Sequence, residues 1–383
     1  MTFPLIKTID DVLPHIKDND NFSVNRKDDY IVIDYILSTP ETFNNPYEKE
    51  CRGIIFYEDG RIMSRRLHKF FNVNEREESL AQNIDFSKPH VILEKLDGSM
   101  ITPMISNGKL TWGSKAGVTF LTPQIEEFVK KNPQYAEYAA FWLENDVTPI
   151  FEWCSNQNRI VISHPVDRLV LIAIRDNTSG AYLQYDFMKF GANYEDIEVV
   201  KAYPGTVESM EKLIEITKPL EGTEGFVVRF DDGEMFKVKA DQYCLFHKSK
   251  DDLMHEKNVV AILVDGKADD FRVLLSEDDR KKFENFENTF WHHIHANASN
   301  WYLSWFLCNH KEMTRKDYAL DASVKYQHSA FLKSIIFKFF ERNAIHVKEI
   351  RDEIVNIIKK NTGSQSNIDK VRELWNGAKW IYQ

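Results

Sequence analysis

At 383 residues, with 43% hydrophobic and 28% charged side chains, the chain is long enough to divide between two cores of ordinary domain size. The formal net charge of −10 falls entirely within residues 1–250, since residues 251–383 hold 20 basic and 20 acidic side chains. That balance excludes a general basic coat for nucleic acid, although residues 311–383 carry 14 basic against 9 acidic groups.

No run is apolar and long enough for a membrane span and no secretory leader is seen. Cys51, Cys154, Cys244 and Cys308 are scattered without a Cys-x-x-Cys pair, which suits reduced thiols in a cytoplasm. Short runs rich in β-branched and aromatic residues, punctuated by turn formers, predict strands over Tyr30 to Leu37, Gly53 to Tyr57, Val91 to Leu93, Lys109 to Gly113, Arg168 to Ile174, Gly225 to Phe230 and Glu234 to Lys239. Glu58-Asp59-Gly60 and Asp231-Asp232-Gly233 have the composition of hairpin turns. One helix is predicted between Pro123 and Asn145. All 12 prolines lie at or before Pro219 and no glycine falls between Gly266 and Gly363, so helix breakers are missing from the last third, which is predicted to be all-helical. There Phe331, Leu332, Ile335, Ile336, Phe339 and Phe340 recur at helical spacing as one packing face.

The expected fold is α+β, with a sheet-and-helix N-terminal domain over residues 1–250 and an all-α C-terminal domain over residues 251–383. Neither Gly-x-Gly-x-x-Gly nor the phosphate-loop pattern occurs, which argues against a Rossmann or phosphate-loop cleft. His292, His293 and His295 with Cys308 and His310 match no zinc spacing and read as helix-surface residues.

The chemistry centres on Glu94-Lys95-Leu96-Asp97-Gly98-Ser99, which follows an apolar strand and would present Lys95 at its end. Taken alone, such a string is most often an exposed Asp-Gly turn. Downstream, however, come Phe151-Glu152, Glu224-Gly225-Phe226-Val227-Val228 and Lys237-Val238-Lys239. A lysine amine attacks phosphorus only when deprotonated, and its ordinary pKa of about 10.4 keeps it charged. A metal cation gathered by Asp97 and other carboxylates would favour the free amine and neutralise the phosphates under attack. Glu152 lies between Phe151 and Trp153, where burial without a partner would be costly. Lys237 and Lys239 are two apart on a strand and share a face, which suggests an anion; the plain alternative is a sheet edge blunted by lysines.

This ordered set resembles the motifs of the covalent lysyl-nucleotidyltransferase superfamily of DNA ligases, RNA ligases and mRNA capping enzymes. Together with Glu50 to Phe56, Leu67 to Glu75, Gly113-Ser114-Lys115, Asn158-Arg159-Ile160-Val161 and Phe236 to Tyr243, it resembles phage-type ATP-dependent RNA ligase 1 over most of residues 30–250. Beyond residue 250 the likeness is looser, carried by Val264-Asp265-Gly266 and Asp269-Asp270.

The resemblance implies a nucleotidyltransferase domain of antiparallel sheets and helices that uses ATP as co-substrate and magnesium, with manganese as an alternative. It implies three steps: lysyl-AMP formation, transfer of AMP to an RNA 5′-phosphate, and displacement of AMP by an RNA 3′-OH. Nicked tRNA anticodon loops are the implied substrate, with the helical domain supplying RNA specificity, in a host cytoplasm if the chain is phage-encoded. Lys95 matches the nucleophile. Asp97 and Glu224 are assigned chiefly to the metal, and Glu152 to ribose or metal-bound water. Lys237 and Lys239 match phosphate contacts, Arg52 and Lys69 grip the triphosphate or the RNA 5′-phosphate, Lys115 matches a further basic position, and Tyr35 lies near the leaving phosphates. Glu94 and Gly98 complete the nucleotide-binding set, and the adenine is expected between Val227 and an aliphatic residue of Leu171-Ile172. A DNA ligase or capping enzyme would continue into a β-rich domain rather than helices, and a noncatalytic RNA-repair scaffold would have no need of these residues together.

Overall fold

The computed structural model describes residues 3–382 apart from Leu37, Pro40, Glu41, Arg159, 309–312, His328, Glu341, Asn343 and the side chain of Cys308. Two compact units emerge, Met1–Cys244 and Leu245–Gln383.

The first unit is built on three four-stranded sheets. One is the meander β1 (Phe22–Arg26), β2 (Tyr30–Tyr35), β3 (Arg52–Tyr57) and β4 (Ile62–Ser64), with Glu58-Asp59-Gly60 falling in the turn between β3 and β4. Strand β2 ends at Tyr35, and Leu37 of the expected strand lies outside the described residues. Next in the chain come β5 (Phe71–Asn72), β6 (His90–Glu94), β7 (Ser99–Ser106), β8 (Lys109–Gly113), β9 (Val147–Cys154), β10 (Arg168–Asp176), β11 (Gly225–Phe230) and β12 (Met235–Lys239). These pair as β10-β9-β7-β8 and as β5-β12-β11-β6. Every pairing is antiparallel except the two-residue β5, which runs parallel to β12.

The single helix expected between Pro123 and Asn145 is instead two, Thr122–Lys131 and Gln134–Glu144. Pro133 is the reason: its ring pushes the preceding residue out of helical backbone, and Asn132 sits at φ −131°, ψ 71°. Ile125 and Val129 of the first helix and Tyr135, Tyr138 and Ala139 of the second pack with Trp112, Phe151, Trp153 and Leu169. At roughly 1.5–3 kcal/mol for each large apolar side chain buried, this cluster fixes the β9 strand that carries Glu152.

The second unit is helical throughout its regular structure among the described residues. Its longest helix, Glu277–Cys308, buries Phe283, Phe286, Phe290, Ile294, Ala298, Trp301 and Trp305 at steps of three and four, the pattern of a single core-facing stripe. Ile350, Ile354 and Ile358 of Val347–Lys359 join the same core. The apolar face read over Phe331 to Phe340 forms the helix Ala330–Lys338, with Phe339 at its C-cap. His292, His293 and His295 lie on the long helix, while His310 falls outside the described residues. No helix among the described residues is long and apolar enough to cross a membrane.

Candidate active site

Strand β6 ends at Glu94, and the next residue, Lys95, keeps its amide on the sheet by donating to the Gly225 carbonyl at 2.9 Å. The backbone here tolerates only glycine at two places. A Cβ on Gly98 would stand 2.4 Å from the Trp153 carbonyl oxygen, and one on Gly225, at φ +126°, would stand 2.1 Å from that of Val238.

A cavity of about 480 Å³ opens over this sheet. Antiparallel pairing sets the lining residues of this sheet in rows: Lys239 nearest Lys95, then Val227 between Lys237 and Leu93, then Arg229 opposite Met235. The first rows are cationic. Lys95 Nζ lies 2.8 Å from Glu224 Oε2, and Lys239 Nζ lies 2.9 Å from Glu224 Oε1, so one buried carboxylate holds two lysines. Lys237 Nζ sits 4.6 Å above the Phe70 ring, and the Arg52 guanidinium lies 5.5 Å from the same ring. Burial, reinforced by Arg52, Lys95, Lys69 and Lys239, pulls the Lys237 ammonium well below the usual lysine range. The amines and guanidinium of Arg52, Lys95, Lys237 and Lys239 thus gather along one part of the lining, with Lys95 and Lys239 paired to Glu224. Lys115, which pairs with Asp34 at 3.0 Å, and Glu94 and Gly98 also line the cavity.

Glu152 enters from β9 and lines the same space. Burial pushes its carboxyl up to about 7, offset in part by Lys95 and aggravated by Glu224. The far end has an apolar lining, with Val227 and Met235 from this sheet and Ile172 and Ala173 from β10. Ile172 occupies a β-bulge between Leu171 and Ala173. At the bulge Ile172 lines the cavity, while Leu171 packs into the second sheet's core.

Four expected site residues stand elsewhere. Glu224 lies behind the wall, acting through its lysines. Tyr35 and Lys69 do not line the cavity; Lys69 Nζ is caged by the rings of Tyr35, Phe43 and Phe71 at 4.8, 5.0 and 5.5 Å, and Lys115 lies 4.3 Å from the Tyr35 ring. Asp97, expected chiefly at a metal, is 2% exposed with both oxygens engaged. Its Oδ2 accepts from the amides of Val161 and Ile162 at 2.8 and 2.6 Å, and its Oδ1 accepts from the Tyr243 hydroxyl at 2.7 Å. Asp97 therefore ties the Lys95 loop to the 155–164 segment, with His164 Nε2 at 2.7 Å from its carbonyl. Asn158 joins that tie by donating to Ser99 Oγ at 2.8 Å; its neighbour Arg159 lies outside the described residues.

Among the described residues no group of three or more histidine, cysteine or acidic side chains is close enough to hold a metal ion, so Asp97, Glu152 and Glu224 do not converge as a ligand cage. The donor set nevertheless suits a hydrated cation, because magnesium is commonly held by one or two carboxylates plus substrate phosphates. Glu152 fits that part, since it lines the cavity and a cation beside it would favour its ionised form over the protonated one that burial promotes.

Several contributors carried no sequence signal of their own. Phe70 reads as an ordinary core residue, and Arg229 sits within an apolar strand run. Glu50 was visible only as part of a resembling segment. It is a buried anion gripped by Arg65 Nε at 3.0 Å and by Arg175 Nη1 and Nη2 at 2.8 Å each, joining the entry of β3 to β10.

A family model described as RNA ligase matches residues 50–245, and one described as T4 RNA ligase 1, C-terminal domain, matches residues 250–367. A putative RNA ligase of Thermovibrio ammonificans is 34% identical over 253 residues, 63% of this chain and 64% of that protein. RNA ligase 1 of bacteriophage TS2126 is 26% identical over 225 residues, 55% of this chain and 54% of that protein. The chain thus spans less than two thirds of the length of either relative. Among solved structures, an archaeal ATP-dependent RNA ligase aligns with a TM-score of 0.46 at 13% identity, over 63% of this chain and 64% of that one. The Naegleria gruberi RNA ligase with PPi aligns with a TM-score of 0.40 at 16% identity, over 49% and 58%.

Proposed function

The chain belongs to the RNA ligase family, and on that premise we propose that it joins RNA 5′-phosphate and 3′-OH ends at the expense of ATP, through lysyl-AMP and RNA-adenylate intermediates. The observation that carries this reading is that Lys95 and Lys239, both lining the cavity, are held by the one carboxylate of Glu224 behind its wall.

In the first step the Lys95 amine attacks the α-phosphorus of ATP; an N–P bond forms, the bond to the β-phosphate oxygen breaks, and pyrophosphate leaves. Arg52, Lys237 and Lys239 meet the phosphates, where alignment and charge neutralisation dominate the chemistry. Val227 and Ile172 clasp the base. Glu152 is placed for the ribose hydroxyls or for metal-bound water. A magnesium ion, or manganese in its stead, would be held by Glu152 together with the substrate phosphates and would supply charge neutralisation there. An oxygen of the RNA 5′-phosphate then takes the AMP and frees the lysine, and the 3′-OH displaces AMP to form the phosphodiester.

We assign RNA selection to the helical unit Leu245–Gln383, and nicked tRNA as the substrate it serves. The basic excess of residues 311–383 supports this, because folded RNA is recognised largely through shape and backbone contacts. Joining should then fall as salt is raised.

The test is joining of a 5′-phosphorylated RNA oligonucleotide in the presence of ATP and magnesium, scored by protection of the phosphate from phosphatase. Protected product from the native chain and none from Lys95→Ala is the expected result. Equal joining by both would remove Lys95 from the mechanism.

A further inference from the structure

Arg229 stands on the cavity face of β11, two residues beyond Val227 and opposite Met235. It lines the apolar end of the cavity yet is only 4% exposed. Its Nη1 makes one long hydrogen bond, 3.5 Å to the Ile172 carbonyl, and its Nη2 is buried without a partner. Burial outweighs the attraction of Tyr182, Asp231 and Tyr185.

A buried guanidinium with an unfilled N–H is costly, because the group has given up water without gaining an acceptor. An unsatisfied donor beside a ligand cavity is explained if the ligand brings the acceptor. Arginine offers donors only, and the Ile172 carbonyl next to it is an acceptor.

We propose that Arg229 is a specificity-determining residue for the nucleobase: Nη2 donates to a ring nitrogen of adenine while the Ile172 carbonyl accepts from the 6-amino group. Adenine carries an acceptor nitrogen beside that amino group on both of its edges. Guanine sets O6 against the carbonyl and, on one edge, N1–H against the guanidinium, so two like groups meet. The pair therefore favours ATP over GTP. This inference rests on reading the cavity as a nucleotide site.

The full-length chain and its Arg229→Met variant are compared for lysyl-nucleotide formation against ATP and GTP concentration, and with 1-deaza-, 3-deaza- and 7-deaza-ATP. Absence of any lysyl-nucleotide from the native chain would defeat the functional reading itself. Given charging, Arg229→Met should raise KM for ATP by about tenfold and narrow the preference for ATP over GTP, with kcat held within about threefold. One deaza analogue should cost the native chain a similar factor and cost the variant nothing further. Methionine fills similar volume without an unpaired donor, so Tm should not fall. An unchanged KM and ATP-to-GTP ratio would overturn the proposal, as would a lowered Tm with that ratio intact.

Discussion

Lys95 Nζ and Glu224 Oε2 stand 2.8 Å apart, and the other oxygen of the same carboxylate holds Lys239 Nζ at 2.9 Å. The proposed nucleophile is thus positioned by a residue 129 positions later in the chain, on the far side of a strand pairing that puts Gly225 against Lys239. Glu224 works through both lysines at once.

Substituting Glu224 should therefore slow lysyl-AMP formation more than it weakens ATP binding. Glu224→Gln keeps two polar atoms but offers a single acceptor and no charge, and a misplaced nucleophile costs about a hundredfold in rate. Single-turnover charging at saturating ATP measures it. A rate within a few-fold of the native chain, roughly what loss of one exposed ion pair would give, would show that Lys95 needs no such positioning.

Asp97 makes a prediction opposite to that of a metal ligand. Asp97→Ala would leave two amides and the Tyr243 hydroxyl without their acceptor, a loss on the order of 3 kcal/mol or more. Tm should drop in the absence of any divalent cation. An unchanged Tm with lost activity would return Asp97 to the metal.

Gly98→Ala brings a Cβ to 2.4 Å from the Trp153 carbonyl oxygen and 3.0 Å from Glu152 Cγ. Because the nearest obstacle is backbone, strands β7 and β9 must part or the Lys95 loop must shift, at about 1–3 kcal/mol. Both a lower Tm and slower charging are expected. A fully active, equally stable alanine variant would contradict the packing described.

The Glu50 cluster sets an acid limit. Burial would raise this carboxyl, but Arg175 and Arg65 hold it at about 2, below its ordinary value of 4.5. The folded state thus binds the proton more weakly than the unfolded chain, so the stabilisation is fully present above pH 4.5 and is lost as pH falls toward 2. The shift corresponds to about 3 kcal/mol. Thermal melts of the native chain between pH 6 and 2 should show that fall, and Glu50→Gln should be less stable at pH 6 and flatter below pH 4.5. Parallel curves for the two proteins would contradict the assignment.

Much of this architecture is written locally. The hairpin turns, the shared face of Lys237 and Lys239, and the helical end of the chain follow from spacing and composition over a few residues. So does the lysine at a strand end. What escaped reading depends on contacts far apart in sequence. Asp97 is claimed by amides 64 and 65 residues away and by a hydroxyl 146 away, and Glu50 by an arginine 125 away. An aliphatic residue of Leu171-Ile172 is legible as a cavity candidate, but the bulge at which Ile172 lines it is not announced by its neighbours. Pro133 did announce a break, and its effect on the residue before it is the local rule that divides the helix.

The most direct measurement is the intact mass of the chain after incubation with ATP and magnesium, followed by peptide mapping. A gain of one AMP located on Lys95, absent from Lys95→Ala and Lys95→Arg, is the predicted result, since neither alanine nor a permanently protonated guanidinium supplies a free amine. No adduct on the native chain, or an adduct that persists in Lys95→Ala, would contradict it.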